Sequence, residues 1–66
     1  MLVVWVRAIR AYSWVKPKQG RWVVGLDVLF DDGVVSHPIM DFHSQDLAMR
    51  AADWIERCAN RDLDAA

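Results

Sequence analysis

The stretch RWVVGLDVLF (residues 21–30), followed by DDG (31–33) and VVSHPIM (34–40), decides the fold. In the first segment Trp22, Val24, Leu26, Val28 and Phe30 fall on one side of a period-two strand and Arg21, Gly25 and Asp27 on the other, the alternation of a sheet with one buried face. Asp32-Gly33 stands between two β-branched runs. Both residues tolerate positive φ, so the spacing predicts a type I′ hairpin centred on Asp32 and Gly33 and a second strand over 34–40. That turn sets Phe30 opposite Val35, Val28 opposite His37 and Leu26 opposite Ile39. Pro38, with no N–H to give, marks an edge strand.

Toward the N-terminus, residues 1–15 are rich in Val, Trp, Ile and Tyr and predict a long strand, joined to the central one by the polar loop 16–20. Pairing outward from that loop places Trp14 against Trp22, Tyr12 against Val24, Ala8 against Val28 and Val6 against Phe30. It also drops Arg10 opposite Leu26, a conflict that a bulge near Arg10 relieves.

Toward the C-terminus, Ser44 is a natural N-cap and Asp46 suits the positive end of a helix dipole. A helix over 45–60 follows, with Leu47, Ala51, Trp54, Ile55 and Cys58 as its buried stripe, flanked by Ala48, Ala52 and Ala59. Arg50, Asp53, Glu56, Arg57 and Asn60 line the opposite side, with Asp46–Arg50 and Asp53–Arg57 as i,i+4 pairs. Residues 62–66 are expected to fray. The fold class is α+β: a three-stranded antiparallel meander with one C-terminal helix packed on one face (βββα), forming a single small domain over 1–66.

With 66 residues, 55% of them hydrophobic and four of them Trp, a few bulky groups must build the core, each aromatic burying roughly 150–250 Å². Cys58 is the lone cysteine, which rules out an internal disulfide and points to a reducing compartment, the cytoplasm. The apolar run 2–6 is too short for a signal-peptide core or a membrane span, so the chain reads as a complete small gene product.

The charge is split along the chain. Arg7, Arg10, Lys16, Lys18 and Arg21 all precede the first acid, and the nine acids fall from Asp27 onward against Arg50, Arg57 and Arg61. A near-neutral total of −1 thus hides two opposite local fields, which favours recognition over catalysis.

Constellations for chemistry are thin. His37, Asp41, His43 and Asp46 straddle the strand-to-helix junction, but their spacing lacks the paired ligands of a zinc site. Cys58 sits on the apolar stripe of the helix, where it reads as a small hydrophobe, and Ser44 reads as a cap. Gly20, Gly25 and Gly33 are isolated and make no phosphate loop. No enzyme, metal or cofactor is expected.

One helix covers one face of the sheet. The other would display Val3, Trp5, Ile9, Val15, Val23 and Leu29, with Arg7, Ser13, Arg21 and Asp27 among them, more apolar than a solvated face. The leading expectation is therefore a non-enzymatic protein–protein interaction module, a small regulator or inhibitor that docks on a larger assembly or on its own copy as a homodimer. Trp5, Arg7, Ile9, Val23 and Leu29 would make the contact, ringed by Asp27, Asp31 and Asp32. With Asp41 and Asp46 these acids would suit a basic groove, a use that small inhibitors from mobile elements, anti-CRISPR proteins among them, make of acidic arrays.

The alternative is a nucleic-acid-binding module. Residues 12–22, YSWVKPKQGRW, interleave aromatics with cations, the composition that stacks bases while neutralising phosphates, with Arg10, Lys16, Lys18 and Arg21 as its basic residues. A basic hairpin whose Trp14 and Trp22 form a cross-strand pair on the core face accounts for the same residues. The order of elements resembles the three-strand-plus-helix DNA-binding modules at the amino end of tyrosine recombinases, loosely over residues 10–60, through Gly20-Arg21-Trp22, Phe42 and the Ala-rich helix. That resemblance implies a sheet laid into a major groove. The acidic second half departs from it.

Overall fold

A computed structural model describes residues 8–65. Three antiparallel strands, β1 (Ala8–Lys18), β2 (Arg21–Phe30) and β3 (Gly33–Phe42), form one sheet in the order β1-β2-β3, and a single helix, α1 (Gln45–Ala65), closes the chain. This is the expected βββα arrangement. Residues 1–7 of the expected first strand lie outside the described residues.

Both hairpins turn elsewhere than the spacing predicts. The β1–β2 connection is the two-residue turn Gln19-Gly20, whose φ values of 51° and 78° are those of a type I′ turn, so β1 runs on to Lys18. Pro17 pairs with Trp22 within the strand. The β2–β3 turn is Asp31-Asp32, with Phe30 paired to Gly33 at φ 153°. Its pairs are Val28–Val35 and Leu26–His37, two residues from the expected register. A shift of two keeps the side chains of residues 34–38 on their expected faces, whereas beyond the bulge at Ile39 the faces exchange and Met40 turns to the helix side.

The β1–β2 register differs by three, and that odd shift turns β1 over. Val15 pairs with Val24, Ser13 with Leu26 and Ala11 with Val28, so Ala11, Ser13 and Val15 face the helix. Tyr12, opposite Asp27, and Trp14, opposite Gly25, face away from it. The Trp14–Trp22 pair expected on the core face is therefore not formed. A bulge at Ile9 precedes Arg10, where the sequence asks for one, and a second bulge at Ile39 lies beside Pro38.

Ser44 caps α1, its Oγ accepting from the N–H of Leu47 and its carbonyl from that of Ala48 at 3.1 Å. The stripe that meets the sheet is Ala48, Ala52 and Ile55, against Val24, Val15, Trp22 and Phe42. The two alanines allow close approach. Leu47 and Trp54, expected in the core, project from the flank instead, Trp54 being 63% exposed. Cys58 is half-buried on that flank. The expected i,i+4 pairs form, Asp46–Arg50 at 3.2 Å and Asp53–Arg57 at 2.9 Å. The helix also runs five residues past Asn60, through the stretch expected to fray, with half-buried Leu63 continuing the Ala52–Ala59 stripe.

Side chains of α1 fix its roll and position. Asn60 holds the backbone of Ala11 through two hydrogen bonds, and Glu56 accepts from the N–H of Ser13 at 2.7 Å. The helix thus lies toward β1 and β2 and packs only slightly on β3.

Candidate functional site

The displaced helix leaves one half of the helix-side surface bare. All residues of β3 from Gly33 to Asp41 are exposed, among them Val34, Val35, Ile39 and Met40. Val35 and His37 share the helix-side face with Val28 and Leu26, and beyond the bulge Met40 and Phe42 share it with Val24 and Trp22. Leu47 and Trp54, two helical turns apart, lie on the flank of α1 opposite the one that carries Glu56 and Asn60 to β1. A shallow depression of about 280 Å³ between Trp54, Arg57, Cys58 and Arg61 continues this flank. Neither Trp54 nor β3 stood out in the sequence as surface. The signal lay in the pairing of Ala48 with Ala52, which marks close helix–sheet contact.

On the β1 side a cleft of about 370 Å³ opens between the start of α1 and the sheet, lined by Ser13, Val15, Trp22, Gln45, Met49 and Glu56 among others. Its carboxylates are already engaged, Glu56 with Ser13 and Asp53 with Arg57.

The outer face of the sheet has a different chemistry. Counting from the pairing, it carries Arg10, Tyr12, Trp14, Lys16 and Lys18 of β1, Arg21, Val23, Gly25, Asp27 and Leu29 of β2, and Val34, Ser36, Pro38 and Asp41 of β3. Asp27 accepts from Trp14 Nε1 at 2.7 Å and from Ser36 Oγ at 2.6 Å. Arg21 pairs with Asp41 at 3.0 Å.

Of the residues expected to contact a partner, Val23, Asp27 and Leu29 lie on this face, half-buried, while Ile9 is exposed at the bulge and Asp31 and Asp32 form the exposed hairpin turn. Trp5 and Arg7, like Val3, lie outside the described residues. Val15 and Ser13 leave the outer face altogether, because the register of β1 points them at the helix. The basic residues Arg10, Lys16, Lys18 and Arg21 do share one face.

His37, Asp41, His43 and Asp46 are not brought together: His37 lies on the helix side, Asp41 on the outer face with Arg21, and Asp46 is paired with Arg50. Among the described residues no group of three or more His, Cys, Asp or Glu side chains is placed to hold a metal ion. No described helix is long and apolar enough to cross a membrane. No family model matches this chain, and neither a curated protein nor a solved structure matches it.

Proposed function

We propose that this protein is a non-enzymatic interaction module, a small regulator or inhibitor that binds a protein partner or a second copy of itself through the apolar surface beside its helix. The observation that carries this reading is the exposure of Trp54, 63% accessible, on the helix flank turned away from β1, together with that of Val35 and Met40 on the helix-side face of β3. Large apolar side chains gathered on one side of a small domain are where partners bind, with Trp the usual anchor. The reading takes the β3 side as the contact surface; Trp5, the expected centre of the contact, lies outside the described residues. The lone Cys58 supports a reducing, cytoplasmic setting.

Trp54→Asp and Met40→Asp test the reading, because both positions are exposed and a charge there leaves the fold intact. Sedimentation of the wild-type chain should show self-association, or co-purification should yield a partner that rebinds when purified, with either variant losing the contact while keeping its circular dichroism. Wild-type association by both folded variants would defeat it.

A further inference from the structure

The split of charge along the chain becomes a stripe on one surface. From Arg10 to Lys18 every second residue of β1 points to the outer face, giving Arg10, Tyr12, Trp14, Lys16 and Lys18 in a row, with Arg21 beside them at the start of β2. We propose that this face is a stacking platform for single-stranded nucleic acid, separate from the apolar surface on the helix side.

The geometry of Trp14 carries the argument. Its indole lies across Gly25, where a Cβ would collide with the ring, so the missing side chain lets the ring rest flat on β2. The Nε1–Asp27 hydrogen bond, with Asp27 itself held by Ser36, fixes the ring there. One face of the indole is thus spent on the sheet. Lys16 Nζ stands over the ring, 5.1 Å from its centroid. Tyr12, 52% exposed, lies about 7 Å along the same strand on the same face. The exposed Tyr12 ring offers a π-surface for a base, a Lys16 side chain that lifts from Trp14 to a phosphate would bare a second, and the flanking cations supply positive charge for phosphates, the two needs of a single strand. A paired base, stacked within a duplex, cannot offer its face to such a ring.

The electrostatics agree. Among the described residues Arg10, Lys16 and Lys18 have no carboxylate within ion-pair distance, whereas Arg50 and Arg57 of the helix are paired with Asp46 and Asp53. Arg21 is tied to Asp41. Asp27, the negative charge nearest the platform, is engaged by two donors.

Fluorescence polarisation of a labelled oligothymidylate of about 15 nucleotides with the whole chain tests this. Binding should weaken with salt at a log–log slope between about −2 and −3, since each cation contributes roughly 0.7 on a single strand, and a duplex of equal length should bind less tightly. Lys16→Ala with Lys18→Ala should flatten the slope by about 1.4. Tyr12→Ala should cost about tenfold or more in affinity with the slope unchanged. Trp54→Asp should bind the oligonucleotide as wild type does, which separates this site from the protein-binding surface. Absence of binding at about 50 mM salt would overturn the proposal, as would equal affinity for duplex, equal competition by polyglutamate, or an unaltered affinity in Tyr12→Ala.

Discussion

The side-chain amide of Asn60 pairs with Ala11 as a neighbouring strand would, Nδ2 donating to the Ala11 carbonyl at 3.0 Å while the Ala11 N–H donates to Oδ1 at 2.8 Å. Ala11 is 1% exposed, so water cannot replace either bond. Glu56, one helical turn earlier, does the same for the N–H of Ser13. Two side chains of the helix thus occupy the free edge of β1 at Ala11 and Ser13 and join residues 49 and 43 positions apart.

Asn60→Ala leaves the buried N–H and carbonyl of Ala11 unsatisfied. Urea denaturation should show a loss of about 1–3 kcal/mol, a large share of the stability of so small a domain. Asn60→Asp, which still accepts but no longer donates, should fall between wild type and the alanine variant.

Gly25→Ala forces the Trp14 indole off β2 and breaks its bond to Asp27. Overpacking of this kind costs about 1–3 kcal/mol. Trp14→Ala empties the space, so the double variant should be less destabilised than the two single losses added together, a coupling that a thermodynamic cycle measures directly.

Trp54→Ala should change stability by less than about 1 kcal/mol, because most of its ring is already in water. Val24→Ala should cost about 2 kcal/mol, since Val24 is 0% exposed and lies between the sheet and the alanine stripe of α1. Melting curves of the two variants side by side check the roll of the helix.

Gln19 holds a left-handed conformation, φ 51°, that a side chain with a Cβ enters at a cost of about 1–2 kcal/mol. Gln19→Asn, giving Asn-Gly at a type I′ turn, should raise stability by about 0.5 kcal/mol or more, and Gly20→Ala should lower it. Thermal unfolding of both variants tests this turn assignment against a longer loop.

The element order, the face of β2 and the Ser44 cap were legible because each rests on local chemistry: alternation, turn residues and a hydroxyl before a helix. Register was not. Pro17 suggested a loop, yet β1 is an edge strand in which Ala11 and Ser13 turn their N–H groups outward to the helix, so Pro17, of the same parity, loses no ladder bond. Extending β1 through Pro17 moved the turn to Gln19-Gly20 and exchanged the faces of Trp14 and Val15. The roll of α1 was hidden for a similar reason. Hydrophobicity favoured Leu47 and Trp54 as the inward stripe, but Asn60 and Glu56 are spent on the backbone of a strand distant in sequence, a demand that helical periodicity does not record.

The unequal treatment of the two sheet edges bears on how copies could join. A sheet with two open margins can add copies at either one, as fibrils do, whereas among the described residues the β1 margin is occupied by Asn60 and Glu56 at Ala11 and Ser13 and the β3 margin carries no such cover. Joining through β1 would have to displace both side chains, whereas joining through β3 would displace neither. The same two side chains that anchor the helix thus guard one stretch of the sheet's margin.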